Sequence, residues 1–159
     1  MLNPNSVTFP EDVRLLEPPD VERAVRICLE GHMEGCTISQ MDEEDVRRMM
    51  QKAAWREGVV VAVSPAGKDF GGLVGLQPAK IWYGADDQWY WTDLGIYVLP
   101  DYRKKRLGLK LMRFCQWWAT HTGAPVYFSL LPHVDLDRKI KLFSRYGRLV
   151  GATFLIDGG

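Results

Sequence analysis

Cysteine and histidine are scarce in this chain. Cys28, Cys36 and Cys115 are the only three thiols in 159 residues, and they form no Cys-x-x-Cys pair. An odd set without pairing excludes a disulfide framework and fits reduced, mostly buried thiols in a cytoplasmic protein. His32, His121 and His133 are isolated and make no metal-ligand spacing with the cysteines, so no metal site is expected. Net charge is absent as well: 20 Lys plus Arg balance 20 Asp plus Glu. A protein built to coat nucleic acid usually carries a strong basic excess, so no nucleic-acid partner is expected. No segment approaches the roughly 20 apolar residues of a membrane helix. The N-terminus has no charged region leading into an apolar run, so neither a membrane span nor a secretory signal is expected. No repeat, linker or low-complexity stretch interrupts the chain.

What is present suits one domain. A hydrophobic content of 47% over 159 residues supplies a sizeable core. Residues 1–12, with Pro4 and Pro10, read as an arm, and 13–159 as the domain. Val13 to Leu16 is a short strand stopped by Pro18-Pro19. Asp20 then caps a helix with apolar residues at helical spacing (Val21, Val25, Cys28, Leu29), and Gly31 ends it. Residues 31–40 read as a loop, and Asp42 to Trp55 as a second helix with an acidic first turn. Val59 to Val63 is a continuous β-branched run, the pattern of a buried strand. Gly71 to Ile81 is the next strand, and the turn after it falls at Gly84 to Asp87.

The next stretch, residues 91–111, organises the rest. Leu94, Ile96 and Val98 alternate with Asp93, Gly95 and Tyr97, the period of a strand. Pro100 removes a donor and ends pairing. Four cations follow, Arg103, Lys104, Lys105 and Arg106. Then Leu107, Leu111, Cys115 and Trp118 recur at the period of a helix that ends at Gly123-Ala124-Pro125. A strand feeding a basic turn feeding a helix start places unpaired amides, a positive dipole end and cations together. That arrangement binds phosphate, and Gly108 lets a ligand approach the backbone. A solvated basic turn that merely joins two elements is the bland alternative. Val126 to Leu130 is a strand parallel to the preceding one, because a helix crosses between them. Leu136 to Tyr146 is a last helix and Leu149 to Ile156 a last strand. The order β-α-α-β-β-β-α-β-α-β predicts a single mixed-sheet α/β (α+β) domain.

Val98-x-Pro100-x-Tyr102-Arg103-x-x-Arg106-x-Gly108 resembles the acetyl-coenzyme A signature of the GNAT family of N-acetyltransferases, with Arg106 where the first glycine is usual. The order of elements over roughly residues 60–156 is similar to that family too. The resemblance implies a sheet splayed between its fourth and fifth strands and an acetyl-CoA molecule seated in the gap. It implies backbone contacts to the pantetheine arm from Tyr97 and Val98. The diphosphate would lie on Arg103, Lys104, Lys105, Arg106, Leu107, Gly108 and Leu109. The activity implied is direct acetyl transfer to a primary amine on a small molecule or a protein. Self-association into a homodimer stays open.

Such chemistry asks for a donor to the thioester oxygen, a base for the amine and an acid for the thiolate. Asp93 is the candidate base; the rival reading is a strand-face carboxylate paired to a cation. The family's usual acid is a tyrosine four residues before a Gly-Phe pair, and here that position is Phe143, before Gly147-Arg148. Tyr146 is the nearby substitute, with core capping as its rival role. The missing tyrosine keeps a second reading open, a GNAT-fold module that binds a protein partner without catalysis. The aromatics Trp82, Tyr83, Trp89, Tyr90 and Trp91 flank one turn and read first as cross-strand packing, second as an acceptor pocket. Trp118 lies on the apolar stripe of its helix, whereas Trp117 reads as exposed or at an interface.

Overall fold

The computed structural model describes residues 10–35, 41–80, 88–129 and 136–148. The expected last strand, the turn at Gly84 to Asp87 and most of the arm lie outside them. One five-stranded sheet runs in the order β1-β2-β3-β4-β5. β1 (Arg14–Leu15), β2 (Val60–Ser64), β3 (Gly72–Lys80) and β4 (Trp89–Val98) are antiparallel neighbours, and β5 (Val126–Tyr127) lies parallel to β4. The meander and the parallel orientation of the fifth strand form as the sequence predicts, but β5 is shorter than the expected Val126 to Leu130: Phe128 and Ser129 are outside it, and Leu130 lies outside the described residues. Pro78 is accommodated inside β3 because β2 stops pairing at Leu76, so no neighbour there needs its missing N–H.

Helices cover both faces. α1 (Val21–Gly35) and α2 (Glu43–Ala54) pack on one side, where Leu16, Val25, Ile27, Ala53, Val61, Val63 and Phe70 form a buried cluster. α3 (Leu107–Thr122) closes the other side, packing Leu111, Phe114 and Cys115 over Val60, Ala62, Val74, Leu76 and Trp91. β2 feeds alternate side chains to each cluster, so all five of its residues are buried. That double burial is why the strand reads as an unbroken apolar run.

Helix caps follow sequence chemistry with two corrections. Asp42 accepts from the Asp45 N–H at 3.0 Å and starts α2 as expected. Asp20 instead ends a 3₁₀ turn over Pro18–Asp20; its carboxylate reaches back to the Glu17 N–H and forms a two-point pair with Arg14. Gly31 does not end α1, which continues to Gly35. A Cβ at Gly31 would lie 2.6 Å from the Tyr97 ring, so this glycine serves as the seat for a side chain of β4. α4 (Leu136–Phe143) is shorter than predicted, with Ser144 to Tyr146 in turns.

The aromatics pack as ring pairs. Trp89 meets Trp91 edge-on, Tyr90 meets Tyr127, and Trp91 meets Trp118 while donating from Nε1 to Thr122 Oγ1. Trp117 is half-buried and stacks on His121 at 4.8 Å. Cys115 is buried and Cys28 half-buried; burial pushes both thiols up, Cys28 to about 11, so neither serves as a thiolate nucleophile at neutral pH. No helix among the described residues is long and apolar enough to cross a membrane, and no metal-ligating cluster is found among them.

Candidate functional site: a fork between two strands and a basic turn

β4 and β5 pair only at Trp91–Val126 and Thr92–Tyr127. The fork opens one residue later, where the Ser129 N–H donates to Asp93 Oδ1 at 2.9 Å and not to a β4 carbonyl. Beyond Asp93, the β5-facing edge of β4 has no strand partner among the described residues. At the same place β4 carries a bulge: Gly75 faces Gly95 and Leu76 faces Asp93, leaving Leu94 without a partner. Two glycines permit it. Gly95 has φ 131°, and a Cβ at Gly75 would lie 3.0 Å from Leu94 Cβ. An isolated glycine inside a strand pattern was the available signal for both.

The ladder register and the bulge correct two sequence expectations. The Leu99 N–H donates to Gly71 C=O, so in the alternating antiparallel ladder the backbone groups of Tyr97 pair with Leu73 on β3. Ile96 and Val98, not Tyr97, present theirs to the open edge. The extra residue also shifts side-chain parity. Asp93 falls on the α3 side together with Trp91, Ile96 and Val98, close enough for its charge to help raise the Cys115 thiol. The simple alternation placed it on the face opposite Ile96. Burial lifts the Asp93 carboxyl above the ordinary carboxylate range, although the Ser129 N–H opposes the shift.

The basic turn follows at the mouth of the fork. Pro100–Lys105 is a 3₁₀ segment, Arg106 takes a left-handed conformation at φ 57°, and α3 starts at Leu107. A left-handed residue is what glycine suits best, which explains why the family signature has one there. Leu109 and Lys110 both donate to Arg106 C=O, whereas the N–H groups of Arg106, Leu107 and Gly108 find no acceptor among the described residues. A Cβ at Gly108 would meet nothing within 4 Å, so the surface at this second residue of α3 is open. Free amides, a helix dipole and open space fit a diphosphate. Lys104 and Arg106 are exposed and make no ion pair among the described residues; Lys105 lies over the Tyr102 ring at 4.6 Å.

Arg103 departs from its expected place. Its Nε donates to Val98 C=O at 3.2 Å, and its Nη2 bonds both oxygens of Glu34 on α1. Glu34 also accepts from the Tyr97 hydroxyl. These bonds hold the Glu34 carboxyl below its usual range, Arg103 most strongly. Burial and then Glu34 push the Tyr97 phenol up to about 12, so it stays protonated and donates. Glu34 was not legible as a site residue, because nothing local connects it to a turn 69 residues further on.

Tyr146 sits in the turn after α4, its N–H on Phe143 C=O, and among the described residues no hydrogen bond joins it to Asp93 or the basic turn. A cavity of about 370 Å³ lies apart from the fork, lined by Arg14, Glu17, Asp20, Arg23 and Lys68. Its Arg14 is consumed by Asp20 and by the carbonyls of Leu15, Ala66 and Gly67, so this cation is structural.

The turn is braced from below. The Tyr102 ring covers Gly71, where a Cβ would lie 2.1 Å from ring Cγ, and its hydroxyl donates to Asp69 C=O. Gly71→Ala is therefore expected to expel the ring and lower stability by about 1–3 kcal/mol, measured by urea denaturation. Adding Tyr102→Ala should return part of that loss; if the double variant is no more stable than Gly71→Ala, the ring is not the obstacle.

A model of the acetyltransferase (GNAT) family matches residues 25–147. No curated protein sequence matches the chain. Among solved structures, a predicted acetyltransferase from Clostridium acetobutylicum with acetyl-CoA superposes with a TM-score of 0.71 at 11% identity, over 92% of this chain and 94% of that one. The ribosomal-protein-alanine N-acetyltransferase of Brucella melitensis gives 0.68 at 16% identity, over 93% and 99%. An aminoglycoside 6'-N-acetyltransferase of Acinetobacter haemolyticus gives 0.64 at 11%, over 92% and 97%. At these identities the likeness is one of fold.

Proposed function

The chain belongs to the GNAT family of acetyltransferases, and on that premise we propose that it transfers an acetyl group from acetyl-CoA to a primary amine held at the fork. The observation that carries this reading is the row of amides at Arg106, Leu107 and Gly108 that find no acceptor among the described residues, next to a strand edge without a partner among them. Those amides, with Lys104 and Arg106, would hold the diphosphate. The open-edge groups of Ile96 and the N–H of Val98, whose C=O already accepts from Arg103, would hold the pantetheine arm in the manner of a missing strand.

Acetyl-CoA supplies an acetyl group on a thioester, an electrophilic carbon with a thiolate as leaving group. The chain's own part is to align and to move protons. Holding both reactants in one fork converts an encounter into a positioned reaction. An N–H on the open β4 edge, at Ile96, would donate to the thioester oxygen as negative charge develops there. Asp93 would accept the proton that the amine gives up, its raised carboxyl being a stronger base than an ordinary surface carboxylate. Tyr146 is the tyrosine proposed to return a proton to the departing thiolate. The acceptor is a small molecule or protein bearing a primary amine.

Thermal unfolding tests the assignment. Acetyl-CoA at about 100 times its Kd should stabilise the fold by about 2.7 kcal/mol, roughly 5–10 °C in a domain of this size. Arg106→Glu should remove most of that shift, and primary amines should release free thiol only from mixtures containing the protein. A melting temperature that does not respond to saturating acetyl-CoA sinks the proposal.

A further inference from the structure

The signature arginine of the turn is already occupied by an anion from the chain itself. Glu34, on the last turn of α1, accepts twice from Arg103 Nη2, at 2.7 and 2.5 Å, and Nε is committed to Val98 C=O. Three of the five guanidinium N–H groups are thereby taken. The arrangement is built from three elements. Gly31 leaves room on α1 for the Tyr97 ring, the Tyr97 hydroxyl donates to Glu34, and the Arg103 guanidinium stands 5.8 Å from the same ring.

We propose that Glu34 is an intramolecular stand-in for a cofactor phosphate, holding Arg103 in the free protein and yielding it when the anion arrives. This rests on the acetyl-CoA reading above. Carboxylate and phosphate compete for the same guanidinium fork, since both accept its paired N–H groups. The pair can open readily: its side chains are 48% and 42% exposed, and ion pairs that wet contribute little net stability. The released carboxylate has a second cation nearby, because the charge of Lys139 on α4 also acts on Glu34. The chain thus weakens its own cofactor site by one opposing charge, and keeps Arg103 close to the turn while the site is free.

The test is calorimetric binding of CoA to the full chain, comparing the native protein with Glu34→Gln, Arg103→Gln and the double variant at low and high salt. Removing the carboxylate that competes for Arg103 should tighten CoA binding about three- to tenfold. The salt dependence should steepen, since an unmasked cation then meets the anion. In the Arg103→Gln background, Glu34→Gln should change affinity less than twofold. Unchanged or weaker binding by Glu34→Gln overturns the inference: Glu34 would then merely orient Arg103, and the transferase reading would stand as long as the native protein binds CoA. An equal gain with and without Arg103 overturns it as well, by showing a general charge effect. A native protein that binds no CoA overturns both.

Discussion

Gly108→Asp is expected to abolish acetyl-CoA binding while leaving the free protein at least as stable as before. Gly108 is the second residue of α3, and a side chain there would stand on open surface in the same turn as the amides of Arg106, Leu107 and Gly108. A carboxylate at that point satisfies unpaired N–H groups and opposes the helix dipole, which stabilises a helix by about 0.3–1 kcal/mol. It also places a negative charge where the proposed diphosphate would sit. One like charge at about 4 Å costs roughly 1 kcal/mol even in water and about 4 kcal/mol near a protein surface. Loss of the amide contacts adds to that, so affinity should fall by about two orders of magnitude or more. The paired readouts are the melting temperature without ligand and calorimetric affinity for CoA. A variant that still binds within tenfold of the native protein would show that the diphosphate does not lie on this helix start.

The second large effect concerns Asp93→Asn. The substitution keeps shape and leaves an amide oxygen to accept from Ser129, so the fork should stay closed at its base. Turnover should fall by about 100-fold or more if the carboxylate takes the amine proton. Stability should move the other way, and the sign follows from linkage. Burial raises the folded carboxyl above its unfolded value. In the window between those two values the native state therefore holds more proton than the unfolded one, and stability declines as pH rises through it. Asn has no such charge to desolvate, so the variant should lose that decline and melt higher at neutral pH. The acid limb of kcat/KM should flatten in the same variant. Turnover within threefold of native, together with the stability gain, would make Asp93 a plug at the base of the fork with no part in proton transfer.

The meander, the basic turn and the crossover helix follow from local patterns. β2 is continuous and β-branched because both its faces are covered; α3 is amphipathic and stops at Gly123, left-handed at φ 70°; Pro100 ends β4. The bulge was half legible. Gly75 and Gly95 interrupt apolar strands, yet an unbroken alternation through them puts Asp93 on the face opposite Ile96; the edge contact of Tyr97 is implied by the resemblance and not by the pattern. Gly31 misled in the opposite sense. A glycine near the end of an apolar period reads as a stop, but here it is the floor under an aromatic ring. Arg103 kept its position in the motif and lost its assumed freedom to Glu34.

By itself, the amino-acid order determined the elements and the basic turn, because hydrophobic period, proline, glycine and helix ends act over a few residues. Tertiary structure alone decided where β4 and β5 part, which backbone groups face the gap and which anion Arg103 meets. Those outcomes rest on ladder register and on contacts between residues 36 and 69 positions apart, and no local pattern encodes a partner that distant.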